Sequence, residues 1–207
     1  GSISKRPTSD AMLRMLEEKG DEIFADADSI VIEIDLDKEL IKTVFRYAEK
    51  YHKKVYAVVA NMSIASQRRD FLQSIDCFVC NAQEAGILFV CDFSGLTPEE
   101  LCEELSRRVV SARIPSMVVT MGSRGAVYAD MNGDKGVYPA RKVKVRDTTG
   151  AGDAFCAGVA IGLTYGKTMR EAVEIGTRLA SSVITVSEKV CPRFLPQELG
   201  LDVKIEE

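Results

Sequence analysis

The apolar residues of this chain fall into two alternating rhythms. Segments 29–34, 54–60, 76–80 and 116–121 are short and almost continuously apolar, as in Ile30-Val31-Ile32 and Ala57-Val58-Val59. Between them, segments 37–51, 66–73, 82–89 and 97–113 carry helical spacing, with apolar residues recurring every three or four positions. Strands alternating with helices predict a mostly parallel sheet covered by helices on both faces, because strands buried on both sides read as unbroken apolar runs.

Local signals refine this frame. A helix over 10–19 is expected to stop at Gly20. Thr97-Pro98-Glu99-Glu100 marks a helix start, with a capping threonine, a proline at the first helical position and a glutamate at the third. Two short runs, 125–130 and 136–138, flank Asn132-Gly133 and predict an antiparallel hairpin. Segment 141–145 reads as one further strand. A helix follows over 153–164, with Phe155, Val159 and Leu163 along one face, and Thr168 with Glu171 caps a last helix reaching Val183. Gly1-Ser2 resembles an expression scar and 3–9 has no periodic pattern, so 1–9 is excluded as a disordered tail and 10–207 is read as a single domain. No internal repeat or low-complexity linker is evident.

With 207 residues, 46% hydrophobic and 28% charged, the chain is long enough for one well-built core. A formal net charge of -4 gives no electrostatic footprint for nucleic acid or an anionic membrane. No apolar run approaches a membrane span and no secretory leader opens the chain, so a cytoplasmic location is expected. The six cysteines lie mainly in apolar runs and read as reduced core thiols. Cys77 and Cys80 form a CxxC only in name, because on a strand they face opposite sides of the sheet. His52 is the single histidine and has no partner pattern, which disfavours histidine-based catalysis. Asn61-Met62-Ser63 fits a glycosylation sequon, which carries no weight in a cytoplasmic chain.

Candidate chemistry concentrates at Asp147-Thr148-Thr149-Gly150-Ala151-Gly152-Asp153, between the 141–145 run and a helix rich in small residues. The small residues allow a tight turn, and a helix starting there points unpaired N–H groups and the positive end of its dipole at the space in front. That space is an anion site. Asp153, in the first turn, stands where a general base for phosphoryl transfer belongs. A bare GxGD would equally well be an ordinary glycine-rich turn.

The longer stretch Asp147 to Phe155, DTTGAGDAF, is more specific: it resembles the signature of the PfkB/ribokinase family of carbohydrate and nucleoside kinases. The resemblance implies a three-layer ribokinase-like α/β fold, with a mostly parallel central sheet, helices on both faces and an antiparallel hairpin near one edge. It implies that Asp153 is the catalytic base and that the amides of Gly150, Ala151 and Gly152 neutralise the transferring phosphoryl group. It implies ATP as donor, Mg2+ as its counterion, and a sugar or nucleoside hydroxymethyl as acceptor. Asn81-Ala82-Gln83-Glu84 reads locally as a capping box. By the resemblance it is also the family's NxxE motif, with Glu84 organising magnesium through water and Asn81 on the phosphate side.

Thr120 and the Gly122-Ser123-Arg124-Gly125 turn match a GxxG loop, so Thr120, Gly122 and Gly125 are expected nucleotide contacts, with Thr149 beside them. Arg124 is expected only to be solvated. Asp147 and Thr149 match the loop side of a monovalent cation site, which K+ would fill. The final helix, 175–187, would wall the adenine pocket, although 177–182 lacks the asparagine common in relatives. The tail Ser187 to Pro192 is similar to pseudouridine-kinase-like members. Gly162 to Thr168 imitates a P-loop but is one residue short and follows a helix rather than a strand.

The resemblance covers the chain from about Ser29 onward. No counterpart of the family's opening strands, acceptor-contacting residues and lid precedes Ile3. Two readings follow: a phosphotransferase, or a nucleotide-binding or assembly fragment without catalysis. An exposed sheet edge that invites a second copy is expected in either case.

Overall fold

The computed structural model describes residues 7–186 and 194–201. Among the described residues, six strands form one sheet: β1 (Ser29–Glu33), β2 (Lys54–Val58), β3 (Cys77–Asn81), β4 (Ser116–Thr120), β5 (Ala126–Asp130) and β6 (Lys135–Tyr138), in the order β1-β2-β3-β4-β5-β6. The first four pair in parallel, whereas β4-β5 and β5-β6 are antiparallel. The expected mostly parallel sheet with a hairpin near one edge is therefore present.

The helices are α1 (Ser9–Asp26), α2 (Lys38–Lys50), the single turns α3 (Met62–Ala65) and α4 (Arg69–Leu72), α5 (Ala82–Phe89), α6 (Pro98–Ala112), α7 (Ala151–Thr164) and α8 (Met169–Val183). Alternation along each strand assigns the two faces. Val55, Ala57, Phe78, Cys80, Met117 and Val119 join Leu40, Leu88, Leu101 and Leu105 in one core. Tyr56, Cys77, Val79, Val118 and Tyr128 join Phe155, Val159 and Val173 in the other. The result is a three-layer molecule in which Cys77 and Cys80 are buried on opposite faces, so they cannot chelate one ion.

Four sequence expectations are corrected. The first helix does not stop at Gly20 but continues to Asp26, because Gly20 is buried under the Tyr47 ring, whose hydroxyl donates to the Leu16 carbonyl at 2.9 Å. Thr8 and Ser9, set aside with the tail, cap and open this helix. Segment 66–73 is not one helix: α3 and α4 are separate turns within 62–72. Segment 141–145 joins no ladder among the described residues and runs exposed, without regular structure, between β6 and α7.

Capping chemistry agrees with the sequence reading elsewhere. Reciprocal capping boxes open α5, α6 and α8 at Asn81, Thr97 and Thr168. The α7–α8 pair is close because its glycines face glycine and alanine: a Cβ on Gly158 would lie 2.6 Å from Gly176 Cα, and one on Gly162 would lie 2.8 Å from Ala172 Cα. No helix among the described residues is long and apolar enough to cross a membrane.

Candidate active site

The direction of α7 decides where the anion loop lies. Ser29 Oγ, at the start of β1, is 2.7 Å from Thr164 Oγ1, at the end of α7. The helix therefore runs against the parallel strands, and its N-terminus rises at their carboxyl ends. Open α/β sheets bind ligands at that end. Asn81 and Thr120 close β3 and β4 there and are partners in register.

Gly150 caps α7 in the left-handed region, with φ 81°, a conformation that a side chain would strain. An Asx turn braces the approach: Asp147 Oδ1 accepts from the Thr149 N–H at 2.9 Å and from its hydroxyl at 2.8 Å. The Arg146 N–H donates to the Ile184 carbonyl at 2.8 Å, tying the loop to the end of α8. Neither tie was legible beforehand, although an aspartate two residues before a threonine is the signature of such a turn.

The expected row of free amides at Gly150, Ala151 and Gly152 is modified. The Ala151 N–H is spent on the Thr148 carbonyl at 3.2 Å, within the turn itself. Among the described residues, the N–H groups of Gly150, Gly152 and Asp153 have no hydrogen-bond acceptor. Space in front of Gly152 is open, with nothing within 4 Å of where a Cβ would stand. Asp153 is exposed and belongs to no ion pair among the described residues. One turn further in, burial and then the Asp153 charge push the Cys156 thiol up to about 12.

On the neighbouring strands, the capping box is complete: the Glu84 N–H donates to Asn81 Oδ1 and the Asn81 N–H to Glu84 Oε2, each at 2.8 Å. The pair thus has a structural task whatever else it does, and one Glu84 oxygen lies outside that reciprocal pair. Thr120 Oγ1 stands 3.5 Å from the Cys80 carbonyl. Gly122 has φ 60° and open space around it. Gly125 has a structural reason of its own: φ is 99°, and a Cβ would lie 2.1 Å from the Tyr138 carbonyl oxygen. Arg124 is not merely solvated, since its guanidinium donates to the Leu96 carbonyl at 2.7 Å. It borders a cleft of about 520 Å³ with Ala82, Gln83, Ile87 and Phe93. The sequence reading had no signal for this cleft, which α5 and the segment after it form only on folding.

Asn81, Glu84, Thr120, Gly122, Asp147, Thr149 and Asp153 therefore collect at one end of the molecule, along the carboxyl ends of β3 and β4 and the start of α7. No group of three or more His, Cys, Asp or Glu among the described residues could cage a metal. Thr177 and Ser181, on the α8 segment expected to wall an adenine pocket, are buried, and their hydroxyls donate to the Val173 and Thr177 carbonyls. The Ser187–Pro192 tail lies outside the described residues.

Comparison with known proteins gives this arrangement its context. The profile described as pfkB family carbohydrate kinase matches residues 3–191. The guanosine-inosine kinase of Exiguobacterium acetylicum is 31% identical over 188 residues, which are 90% of this chain and 61% of that protein. The ribokinase of Schizosaccharomyces pombe is 27% identical over 174 residues, 84% of this chain and 53% of its own length. A probable sugar kinase from Rhizobium etli superposes with a TM-score of 0.73 at 25% identity, over 90% of this chain and 58% of that one. Arabidopsis thaliana ribokinase complexed with ribose and ATP shares the fold, with a TM-score of 0.70 at 21% identity over 89% of this chain and 55% of that one. The chain spans between about half and three fifths of these relatives. With one family profile taking in almost the whole sequence and the anion loop opening α7, the chain belongs to the pfkB family of carbohydrate kinases.

Proposed function

We propose that this chain carries the phosphoryl-transfer centre of an ATP-dependent kinase whose acceptor is the hydroxymethyl of a sugar or nucleoside. The observation that carries the reading is the start of α7: unspent amides, open space at Gly152 and the exposed Asp153 carboxylate, all at the carboxyl end of the parallel strands. In this reading Asp153 accepts the proton of the acceptor hydroxyl as its oxygen attacks the γ-phosphorus. The bond from that phosphorus to the bridging oxygen breaks and ADP leaves. The Gly150, Gly152 and Asp153 N–H groups, with the helix dipole, hold the charge on the equatorial oxygens.

The donor chemistry fits Mg2+, which favours few carboxylates together with phosphates and water over an all-protein cage. Glu84 would hold it through water, using the oxygen outside the reciprocal capping pair, and the bound ion supplies neutralisation of the β- and γ-phosphate charge. Asn81, Thr120 and Gly122 line the phosphate side. Asp147 and Thr149 would face a K+ ion from the loop side, their Asx turn engaging the Oδ1 oxygen of Asp147. The nucleoside kinase among the relatives favours a nucleoside acceptor.

A second reading is a nucleotide-binding unit without catalysis, supported by Asn81 and Glu84 already serving each other as a helix cap. One experiment separates the two. The chain is incubated with ATP, magnesium and a panel of sugars and nucleosides, while nucleotide binding is titrated calorimetrically. Phosphorylated acceptor supports the kinase, and saturable ATP binding without product supports the nucleotide-binding unit. Absence of ATP binding overturns both.

A further inference from the structure

Segment 140–146, Ala-Arg-Lys-Val-Lys-Val-Arg, holds four cations and no carboxylate in a chain whose formal net charge is -4. Arg141, Lys142, Lys144 and Arg146 are all exposed, and none belongs to an ion pair among the described residues.

Both ends of the segment are fixed beside the candidate site. Asn81, Thr120, Ala126 and Tyr138 are successive partners in register across β3, β4, β5 and β6. Two antiparallel pairings in succession make β6 parallel to β4, so the chain leaves the sheet at the carboxyl end, two strand spacings or about 10 Å from Thr120. Gly125 packs on this exit: a Cβ there would lie 2.1 Å from the Tyr138 carbonyl oxygen and 2.9 Å from the Ala140 nitrogen. At the other end, the Arg146 N–H donates to the Ile184 carbonyl at 2.8 Å, and the next residue opens the Asx turn before Gly150. The four cations are therefore strung between the Gly122–Gly125 turn and the amides that open α7.

Cations that served solubility alone would have no reason to gather at one rim of an acidic chain. Counting Asp147 and Asp153 as well, residues 140–153 still carry two positive charges, and the positive end of the α7 dipole adds to them. A local field of one sign at a binding site raises the rate at which ligands of the other sign arrive. We infer that Arg141, Lys142, Lys144 and Arg146 steer the polyphosphate of the nucleotide onto the start of α7 and set its rate of capture. The inference rests on the phosphoryl-transfer reading of that site. Charges that act before contact govern association and its salt dependence more than dissociation.

The chain has no tryptophan, so capture is followed by stopped-flow mixing with a ribose-labelled fluorescent ATP and magnesium, at low and high salt. The wild-type association rate falls steeply as salt rises. Lys142→Gln/Lys144→Gln associates roughly tenfold more slowly at low salt, within the range of electrostatic steering. Its dissociation rate stays within about twofold of wild type, and the two association rates converge at high salt. Arg14→Gln/Lys19→Gln makes the same charge change on α1, which packs against α2 on the other face of the sheet, and keeps the wild-type rate. Circular dichroism confirms that both variants remain folded. An unchanged association rate in Lys142→Gln/Lys144→Gln, an equal slowing in the α1 pair, or an effect confined to dissociation each overturn the inference while ATP still binds and the reading of the site stands. A chain that binds no ATP at any salt overturns both.

Discussion

At the scale of single residues, the site combines groups that serve the fold with groups that the fold leaves idle, and substitutions can tell them apart. Asp153 is idle in this sense, exposed at the first turn of α7 with no ion pair among the described residues. Asp153→Asn is therefore expected to leave the melting temperature nearly unchanged, to leave ATP affinity nearly unchanged, and to lower turnover by about 10²- to 10⁴-fold. Steady-state kinetics beside calorimetric titration measure this, and retained turnover removes Asp153 from the role of base. Glu84 is the opposite case, since its carboxylate closes the capping box of α5. Glu84→Ala should destabilise the fold by about 0.3–1.5 kcal/mol. Glu84→Gln keeps an acceptor for the Asn81 N–H and should lose much less, yet weaken the magnesium dependence of ATP binding as strongly as alanine does. Equal magnesium dependence in wild type and Glu84→Gln would reduce this residue to a cap. The sequence disclosed Asp153 and the box through local spacing. It did not disclose that the Ala151 amide is consumed by Thr148, because that depends on the left-handed turn at Gly150.

At the scale of elements, what the sequence revealed is what short-range pattern controls. The capping boxes at Asn81, Thr97 and Thr168, and the hairpin over Asn132-Gly133, are written within a few residues, and the structure contains each. The Thr8 cap of α1 was missed although it too is local, whereas two other failures turn on distant contacts. Gly20 looked like a stop signal, but Tyr47 of α2 packs over it, stacks on Phe24 at 4.9 Å between centroids and keeps the helix going. Segment 141–145 has the alternation of a strand but no pairing neighbour among the described residues, and alternation alone cannot supply a partner. The α7–α8 contact is the clearest long-range feature, because close approach there leaves no room for a methyl group between Gly158 and Gly176. Gly158→Ala would gain helix propensity, about 0.8–1 kcal/mol, but must push backbone apart, at a typical cost of about 1–3 kcal/mol. Net destabilisation is expected in urea unfolding. Ala157→Gly, one position away and exposed, should show only the propensity loss. A stabilised Gly158→Ala would mean that the two helices separate freely.

At the scale of the whole molecule, the thiols join both layers of the core to the solution pH. Burial pushes Cys77 up to about 12, and Cys156, on the same face, up to about 12. Burial also holds Cys80, on the other face, well above its ordinary value. Below the ordinary thiol value of 9.0 these groups are protonated both folded and unfolded, so the native state keeps its full advantage. As pH rises past that value, unfolded thiols ionise while the buried ones cannot, the unfolded state binds fewer protons, and stability falls until the folded values near 12 are reached. Other groups titrate in the same window, including Tyr56, which burial also raises. The useful observable is therefore a difference. Cys77→Ala/Cys156→Ala should lose some stability at neutral pH through the small voids it leaves, yet lose less than wild type on going to alkaline pH, so that the two urea midpoints converge. Parallel midpoints across that range would mean that the thiols titrate as freely in the folded chain as in the unfolded one, which a core closed on both faces of the sheet does not allow.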